Sequence, residues 1–265
     1  MNKDLEIKKV LTIAGSDCSG GAGIQADLKT IAAHKKYGMS VITSLTAQNT
    51  TGVFDVLDAT SKFVEEQIDA VFTDIFPDAV KIGMVSNIEI IKSITEKLLY
   101  YSAKNIVVDP VMVSTSGSKL MNDDACEVLI NKLIPIADLI TPNMQEAEVL
   151  CGFEVKNEYD MLKAAEEISK FTKGAVLIKG GHLKEYASDL LYTKENIEWL
   201  KTPIINNKNT HGTGCTLSSA IACNLAEGMT IKESVKKAKE YLTGAIEWGM
   251  DLGKGHGPLN HLYKF

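Results

Sequence analysis

The sequence predicts an α/β protein of three layers, αβα, with a mostly parallel central sheet covered by helices on both faces. Three observations carry this. Short β-branched and aliphatic runs alternate with segments whose apolar residues recur at helical spacing. Polar residues suited to chemistry collect just past the carboxyl ends of the apolar runs, where open parallel sheets build their sites. No composition break, repeat or low-complexity tract interrupts the 265 residues, which read as one domain over 1–265.

In chain order, Val10–Ala14 is a buried strand stopped by Gly15, Ser16 and Asp17. A polar loop to Gly23 precedes a helix with Ile24, Leu28, Ile31 and Ala32 on one face. Ser40–Ala47 is a second strand, and Val53–Ala59 a short additional one. Phe63, Ile68, Val71 and Phe72 mark a helix, and Ala79–Gly83 a strand. Ser86 with Glu89 has capping-box spacing ahead of a helix carrying Ile90, Ile91, Ile94 and Leu98. Asn105–Asp109 is a strand closed by Pro110, Asp123–Leu133 a helix, and Ala137–Thr141 a strand closed by Pro142. Gln145–Leu150 is a short helix ending at Gly152, and Glu158–Phe171 a longer one. Ala175–Lys179 is a strand, while Leu190–Tyr192 and Glu198–Leu200 form a hairpin. The apolar run from Leu217 to Leu225 is helical. Thr230 and Glu233 cap the last helix, which runs to about Trp248.

Composition narrows the function. With 45% hydrophobic and 23% charged residues and a net charge of −6, the chain has neither a nucleic-acid face nor a polybasic membrane patch. Its apolar runs are strand-sized, and the charged stretch Met1–Lys9 is followed by no export signal, so a cytoplasmic protein is expected. The five cysteines include no C-x-x-C pair, which argues against a disulfide framework or structural zinc. Cys126, Cys151 and Cys223 sit among apolar residues, whereas Cys18 and Cys215 lie in glycine-rich loops.

The chemistry centres on Thr210-His211-Gly212-Thr213-Gly214-Cys215-Thr216. A glycine turn running into a helix leaves N–H groups unpaired at the positive end of the helix dipole, which makes an anion site. A thiol at such a helix start is expected to have its pKa lowered, into the range of about 3.5–7.5. The same residues also read as a plain helix start with a glycine for tight packing. Gly15–Gly21 nearly spells a phosphate loop but lacks its lysine and hydroxyl. Gly21–Ala26 spells G-x-G-x-x-[GA] but lies well past the strand end, with no acid about 20 residues on. Asp109 and Glu146 follow two strand ends and suit a hard cation such as Mg²⁺, and Lys179 before Gly180-Gly181 suits a phosphate. Together these are the parts of phosphoryl transfer: positioning and charge neutralisation. A thiol enzyme pairing Cys215 with His211 is the alternative of another class.

A wider pattern then stands out. Ala14-Gly15-Ser16-Asp17 with Ser19 to Thr30, Ala47-Gln48-Asn49-Thr50, Lys81-Ile82-Gly83-Met84, Asp109-Pro110-Val111-Met112, Thr141-Pro142-Asn143 with Glu146-Ala147-Glu148, Lys179-Gly180-Gly181-His182 and His211–Cys215 follow in order. This set closely resembles the hydroxymethylpyrimidine/phosphomethylpyrimidine kinases of thiamine biosynthesis, within the ribokinase-like superfamily. The resemblance implies that ATP and Mg²⁺ phosphorylate 4-amino-5-hydroxymethyl-2-methylpyrimidine and then its monophosphate. It makes Cys215 the base, and the amides of Gly212, Thr213, Gly214 and Cys215 the cradle of the transferring group. Asp27 and Gln48 would bond the aminopyrimidine, with Gly15, Met84 and Val111 lining its pocket. Asn143 and Lys179 would contact ATP, and Asp109 and Glu146 the metal and its waters. A homodimer is also implied. Related pyridoxal kinases, the alternative reading, tend to carry Met where Gln48 stands and Thr where Lys179 stands. Cys18 replaces the family's usual Pro.

Overall fold

The structure is a computed structural model that describes residues 6–112, 121–181 and 186–265. Of the positions singled out above, His182 and the first five residues of the charged N-terminal stretch lie outside these. In chain order the elements are β1 (Lys9–Asp17), α1 (Gly23–Ala33), β2 (Tyr37–Asn49), β3 (Gly52–Asp58), α2 (Ser61–Phe72), β4 (Ala79–Ile82), α3 (Ile88–Tyr100) and β5 (Ile106–Val108). They continue with α4 (Asp123–Val128), β6 (Leu139–Ile140), α5 (Met144–Cys151), α6 (Glu158–Ile168), β7 (Ala175–Ile178), β8 (Tyr186–Tyr192), β9 (Ile197–Pro203), α7 (Thr213–Ala226) and α8 (Ile231–Trp248).

Among the described residues the strands form one nine-stranded sheet in the order β3-β2-β1-β4-β5-β6-β7-β8-β9. The central strands β2, β1, β4, β5, β6 and β7 are parallel, and β3, β8 and β9 are antiparallel at the edges. The chain steps from β1 to β2 on one side and then returns to place β4 on the other. That reversal opens a crevice at the carboxyl ends, the usual place for a site in such sheets.

Period-two alternation splits the core into two. Leu11, Ile13, Val80, Ile82, Ile106, Val108, Ile140, Val176 and Ile178 face α2, α3 and α6. Their neighbours Val10, Ala79, Val107, Leu139, Ala175 and Leu177 face α1, α7 and α8. Every residue of α7 from Thr216 to Ala226 is buried. This helix packs on the sheet, on α1 and on α8, so it is apolar or small all round rather than striped. No helix among the described residues is long and apolar enough to cross a membrane.

Four expectations change in detail. β1 continues through Ser16 and Asp17, because pairing with β2 resumes after an irregularity between Ala14 and Ser16. Ala32 is exposed, and Ala26, Asp27 and Thr30 are buried in its stead. Asn87, not Ser86, caps α3: its side chain accepts from the N–H groups of Glu89 and Ile90, while the Ser86 hydroxyl turns to Asp58. The helix expected over Asp123–Leu133 is α-helical only to Val128. It widens into a π turn over Leu129–Leu133 and tightens into a 3-10 turn at Ile134–Ile136, where Pro135 supplies no N–H. The cap of α8 by Thr230 and Glu233 is as expected.

One charged pair lies in the core. Lys81 on β4 and Asp27 on α1 both have wholly inaccessible side chains, with Nζ 2.8 Å from Oδ2 and 3.0 Å from Oδ1. Thr12 and Ser219 donate to the same carboxylate at 2.6 and 2.7 Å. Burial opposes charge on Lys81, but Asp27, with smaller help from Cys215 and Asp109, holds its pKa above the ordinary lysine value. Removing one partner strands the other charge in the core. Lys81→Met is therefore expected to cost about 3–5 kcal/mol in urea unfolding, and Lys81→Met with Asp27→Asn less than half of that. A single variant as stable as the wild type would show that the pair is not what holds these elements together.

Candidate active site

The carboxyl ends of the parallel strands and the start of α7 enclose a cavity of about 490 Å³. Gly15 comes from β1, Gln48 from β2, Met84 from beyond β4, Asp109 and Val111 from beyond β5, Asn143 and Glu146 from the start of α5, and Lys179 from beyond β7. Gly212, Thr213, Gly214 and Cys215 complete the wall. The structure thus brings together residues up to 200 positions apart that were picked out one strand end at a time.

Asp27 is the exception and a correction. It does not line the cavity; its oxygens are taken by Lys81, Thr12 and Ser219 in the core, leaving no face for a substrate. Helical spacing allowed either orientation. The buried lysine decides it, because a 0% exposed ammonium requires a carboxylate.

The start of α7 is built for an anion. Gly212 is its N-cap, in the left-handed region at φ 85°. A Cβ there would stand 1.9 Å from the carbonyl oxygen of Gly21, so the turn needs glycine twice over. The Thr213 N–H is bonded to Thr210 O at 3.3 Å, whereas those of Gly212, Gly214 and Cys215 find no acceptor among the described residues. Of the four amides of Gly212–Cys215, that of Thr213 is thus already engaged. A Cβ on Gly214 would lie 3.1 Å from Asp109 Oδ2 and 3.3 Å from Lys179 Nζ, which sets the charged cluster directly against the turn.

That cluster holds two carboxylates and one ammonium. Lys179 Nζ is 2.9 Å from Asp109 Oδ1 and 3.9 Å from Glu146 Oε2. Burial opposes its charge, yet Asp109 and Glu146 raise its pKa. Thr141 and Ser218 also donate to Asp109. Burial pushes the Glu146 carboxyl up to about 7; Lys179 pulls it down and Asp109 pushes it further up. Glu146 and Asn143 form a reciprocal capping box at the start of α5, with each side chain bonded to the other's backbone N–H at 2.7 and 2.8 Å. The N-x-x-E spacing was the available signal for this cap.

Cys215 is only partly exposed, and burial pushes its thiol up to about 11. Lys81 and the Gly23 amide pull it down, and Asp27 and Asp109 push it up. The lowered range expected for a helix start does not apply, since desolvation and two carboxylates outweigh the helix end. The thiol–imidazole pair is absent too. His211 precedes the helix, and its Nε2 lies 2.8 Å from Asp17 Oδ2.

The cavity also has a part that strand-end reasoning missed. Pro203, Ile204, Ile205, Leu217, Leu242 and Ile246 form an apolar wall between the end of β9 and α8. The buried pair Asp189–Lys239, at 2.6 Å, borders it. Leu242 and Ile246 are spaced four apart on α8, a pattern that reads equally well as core.

A sequence profile of the phosphomethylpyrimidine kinase family matches residues 17–260. The hydroxymethylpyrimidine/phosphomethylpyrimidine kinase of Rhizobium meliloti is 48% identical over 259 residues, covering 96% of this chain and 97% of that one. The thiamine biosynthesis bifunctional protein ThiED of Geobacter sulfurreducens is 48% identical over 254 residues, covering 96% of this chain. This chain spans only 52% of that bifunctional protein. Among solved structures, phosphomethylpyrimidine kinase from Clostridium difficile 630 is 52% identical with a TM-score of 0.81, covering 90% of this chain and 99% of that one. Pyridoxal kinase from Staphylococcus aureus in complex with AMP-PCP and pyridoxal is 37% identical with a TM-score of 0.89, covering 97% and 95%. Sequence, fold and the arrangement of the cavity agree: the chain belongs to the phosphomethylpyrimidine kinase family.

Proposed function

We propose that this chain transfers the γ-phosphoryl group of ATP to the hydroxymethyl oxygen of 4-amino-5-hydroxymethyl-2-methylpyrimidine, and in a second turnover to the phosphate of the monophosphate. One observation carries the reading. The His211–Cys215 turn has Gln48 on its His211 side and Asp109 with Lys179 on its Gly214 side. An acceptor held by Gln48 would therefore face a phosphate held by Lys179 across the turn's free N–H groups. Gly15, Met84 and Val111 supply the walls of the acceptor half. The apolar wall at Ile204, Leu242 and Ile246 suits a purine base, and Asn143 with Lys179 the phosphates that follow it.

The residues present fit Mg²⁺. Asp109 and Glu146 offer oxygen donors in a cluster with a single ammonium, and burial, with Asp109 beside it, holds the Glu146 carboxyl up at about 7 against the pull of Lys179. Among the described residues no three acidic, histidine or cysteine side chains gather to hold a metal alone, so phosphate and water oxygens would complete its shell. When bound, the ion would neutralise phosphate charge. Lys179 does the same from the protein side, and the N–H groups of Gly214 and Cys215 point where charge builds on the transferring group. Cys215 is the nearest proton acceptor for the alcohol, but with its pKa at about 11 the thiolate is a minor species at neutral pH. Positioning and charge stabilisation therefore carry most of the rate. A homodimer of single-domain subunits is part of the same proposal.

Pyridoxal is the second acceptor to consider, given the likeness to the Staphylococcus aureus enzyme. Gln48 and Lys179 favour the pyrimidine, and both face the cavity. With Mg-ATP, kcat/KM for the pyrimidine alcohol is expected to exceed that for pyridoxal at least about tenfold, a difference of one good hydrogen bond. ADP release no faster than background with the pyrimidine would defeat the reading. The thiol gives a separate check. A raised pKa keeps the proton on as pH rises. Alkylation of Cys215 in the free protein, followed on its own peptide by mass spectrometry, should thus climb about tenfold per pH unit from pH 7 to 10. A plateau below pH 8 would mean that the thiolate forms far more readily than this site allows.

A further inference from the structure

Asp17 ends β1 and has no part so far, yet its carboxylate collects five donors. Oδ1 accepts from the N–H and the hydroxyl of Ser19, both at 2.8 Å. Oδ2 accepts from the N–H groups of Gly21 and Ala22 at 3.0 and 2.8 Å, and from His211 Nε2 at 2.8 Å. Burial works against the charge, but these bonds, led by that from His211, hold the carboxyl at about 2. An ionised carboxylate at that distance fixes the His211 proton on Nε2.

That proton orients a further side chain. Nε2 also lies 3.2 Å from the Gln48 amide. As placed, the Gln48 nitrogen faces His211 and its oxygen accepts from the Thr46 hydroxyl at 3.2 Å. An Nε2 that bears hydrogen needs an oxygen opposite it, so hydrogen bonding selects the amide turned over, with the carbonyl oxygen toward His211 and the NH₂ toward Thr46. Thr46 gives its own proton to Ser16 O at 3.0 Å. The His211 Nε2–H is then shared between Asp17 Oδ2, the shorter contact at 2.8 Å, and the Gln48 oxygen at 3.2 Å, and Gln48 keeps one N–H and one oxygen lone pair for the cavity. On the other side, a Cβ on Gly21 would meet His211 Cδ2 at 2.3 Å, so the loop and the turn have no room to slide.

We infer that Asp17 is a positioning residue for the transfer: acting through His211, it fixes both the Gln48 amide that reads the acceptor and the Gly212 turn that holds the transferring group. This rests on the function proposed above. A role confined to the Asp17 loop would leave Gln48 independent of it, so coupling between the two side chains is the test. The cycle is wild type, Gln48→Ala, Asp17→Asn and the double variant, with kcat/KM measured for the pyrimidine alcohol at saturating Mg-ATP. Gln48→Ala is expected to lower kcat/KM at least about tenfold in the wild type and less than about threefold in Asp17→Asn. If Asp17→Asn does not fold, His211→Phe replaces it, since it leaves Asp17 its four bonds to its own loop. A Gln48→Ala effect of the same size in both backgrounds overturns the inference. Absence of pyrimidine turnover in the wild type overturns the functional reading, and this inference with it.

Discussion

The close approach of two glycine-bearing segments governs this site. The carbonyl of Gly21 and the Cα of Gly212 are so near that no side chain fits between them. That contact joins the loop after β1 to the first turn of α7. It brings the Asp17 side chain to His211, and it lets the helix begin in the left-handed turn that leaves the N–H groups of Gly212, Gly214 and Cys215 without an acceptor among the described residues. The parallel sheet brings the strand ends into one crevice. The glycine contact determines what faces the crevice from across it.

Charge is arranged around this contact in separate layers. Asp27 and Lys81 neutralise each other beneath α7, with their remaining hydrogen-bonding capacity taken up by Thr12 and Ser219. Asp109, Glu146 and Lys179 form a cavity-side cluster with one more acid than base. The first layer is closed and belongs to stability. The second has an excess of acid by itself, which the proposed uptake of a cation together with phosphate would balance. The thiol of Cys215 is kept protonated chiefly by burial, with Asp27 and Asp109 adding to it.

Much of this was legible in the sequence for a physical reason. Parallel strands declare themselves as short aliphatic runs, and their carboxyl ends must converge, so Gln48, Asp109, Asn143 and Lys179 could be placed together without coordinates. Asp27 was misplaced because helical periodicity gives a face but not what lies behind it. The signal was Lys81 within a buried strand, a charge that had to find a partner. The thiol's pKa was misjudged because helix-end position is local, whereas desolvation depends on the folded surroundings. The apolar wall of Ile204, Leu242 and Ile246 was hidden because cavity lining and core share one pattern in sequence.

The central claim is that the Gly212–Cys215 turn is where the phosphoryl group passes from nucleotide to alcohol. A crystal structure with the pyrimidine alcohol and AMP-PCP tests it most directly. The account predicts the γ-phosphate on the N–H groups of Gly214 and Cys215 and on Lys179, with the hydroxymethyl oxygen about 3–3.5 Å from its phosphorus and the pyrimidine ring against Gln48. A γ-phosphate bound away from this turn, or a pyrimidine with no contact to Gln48, would contradict it.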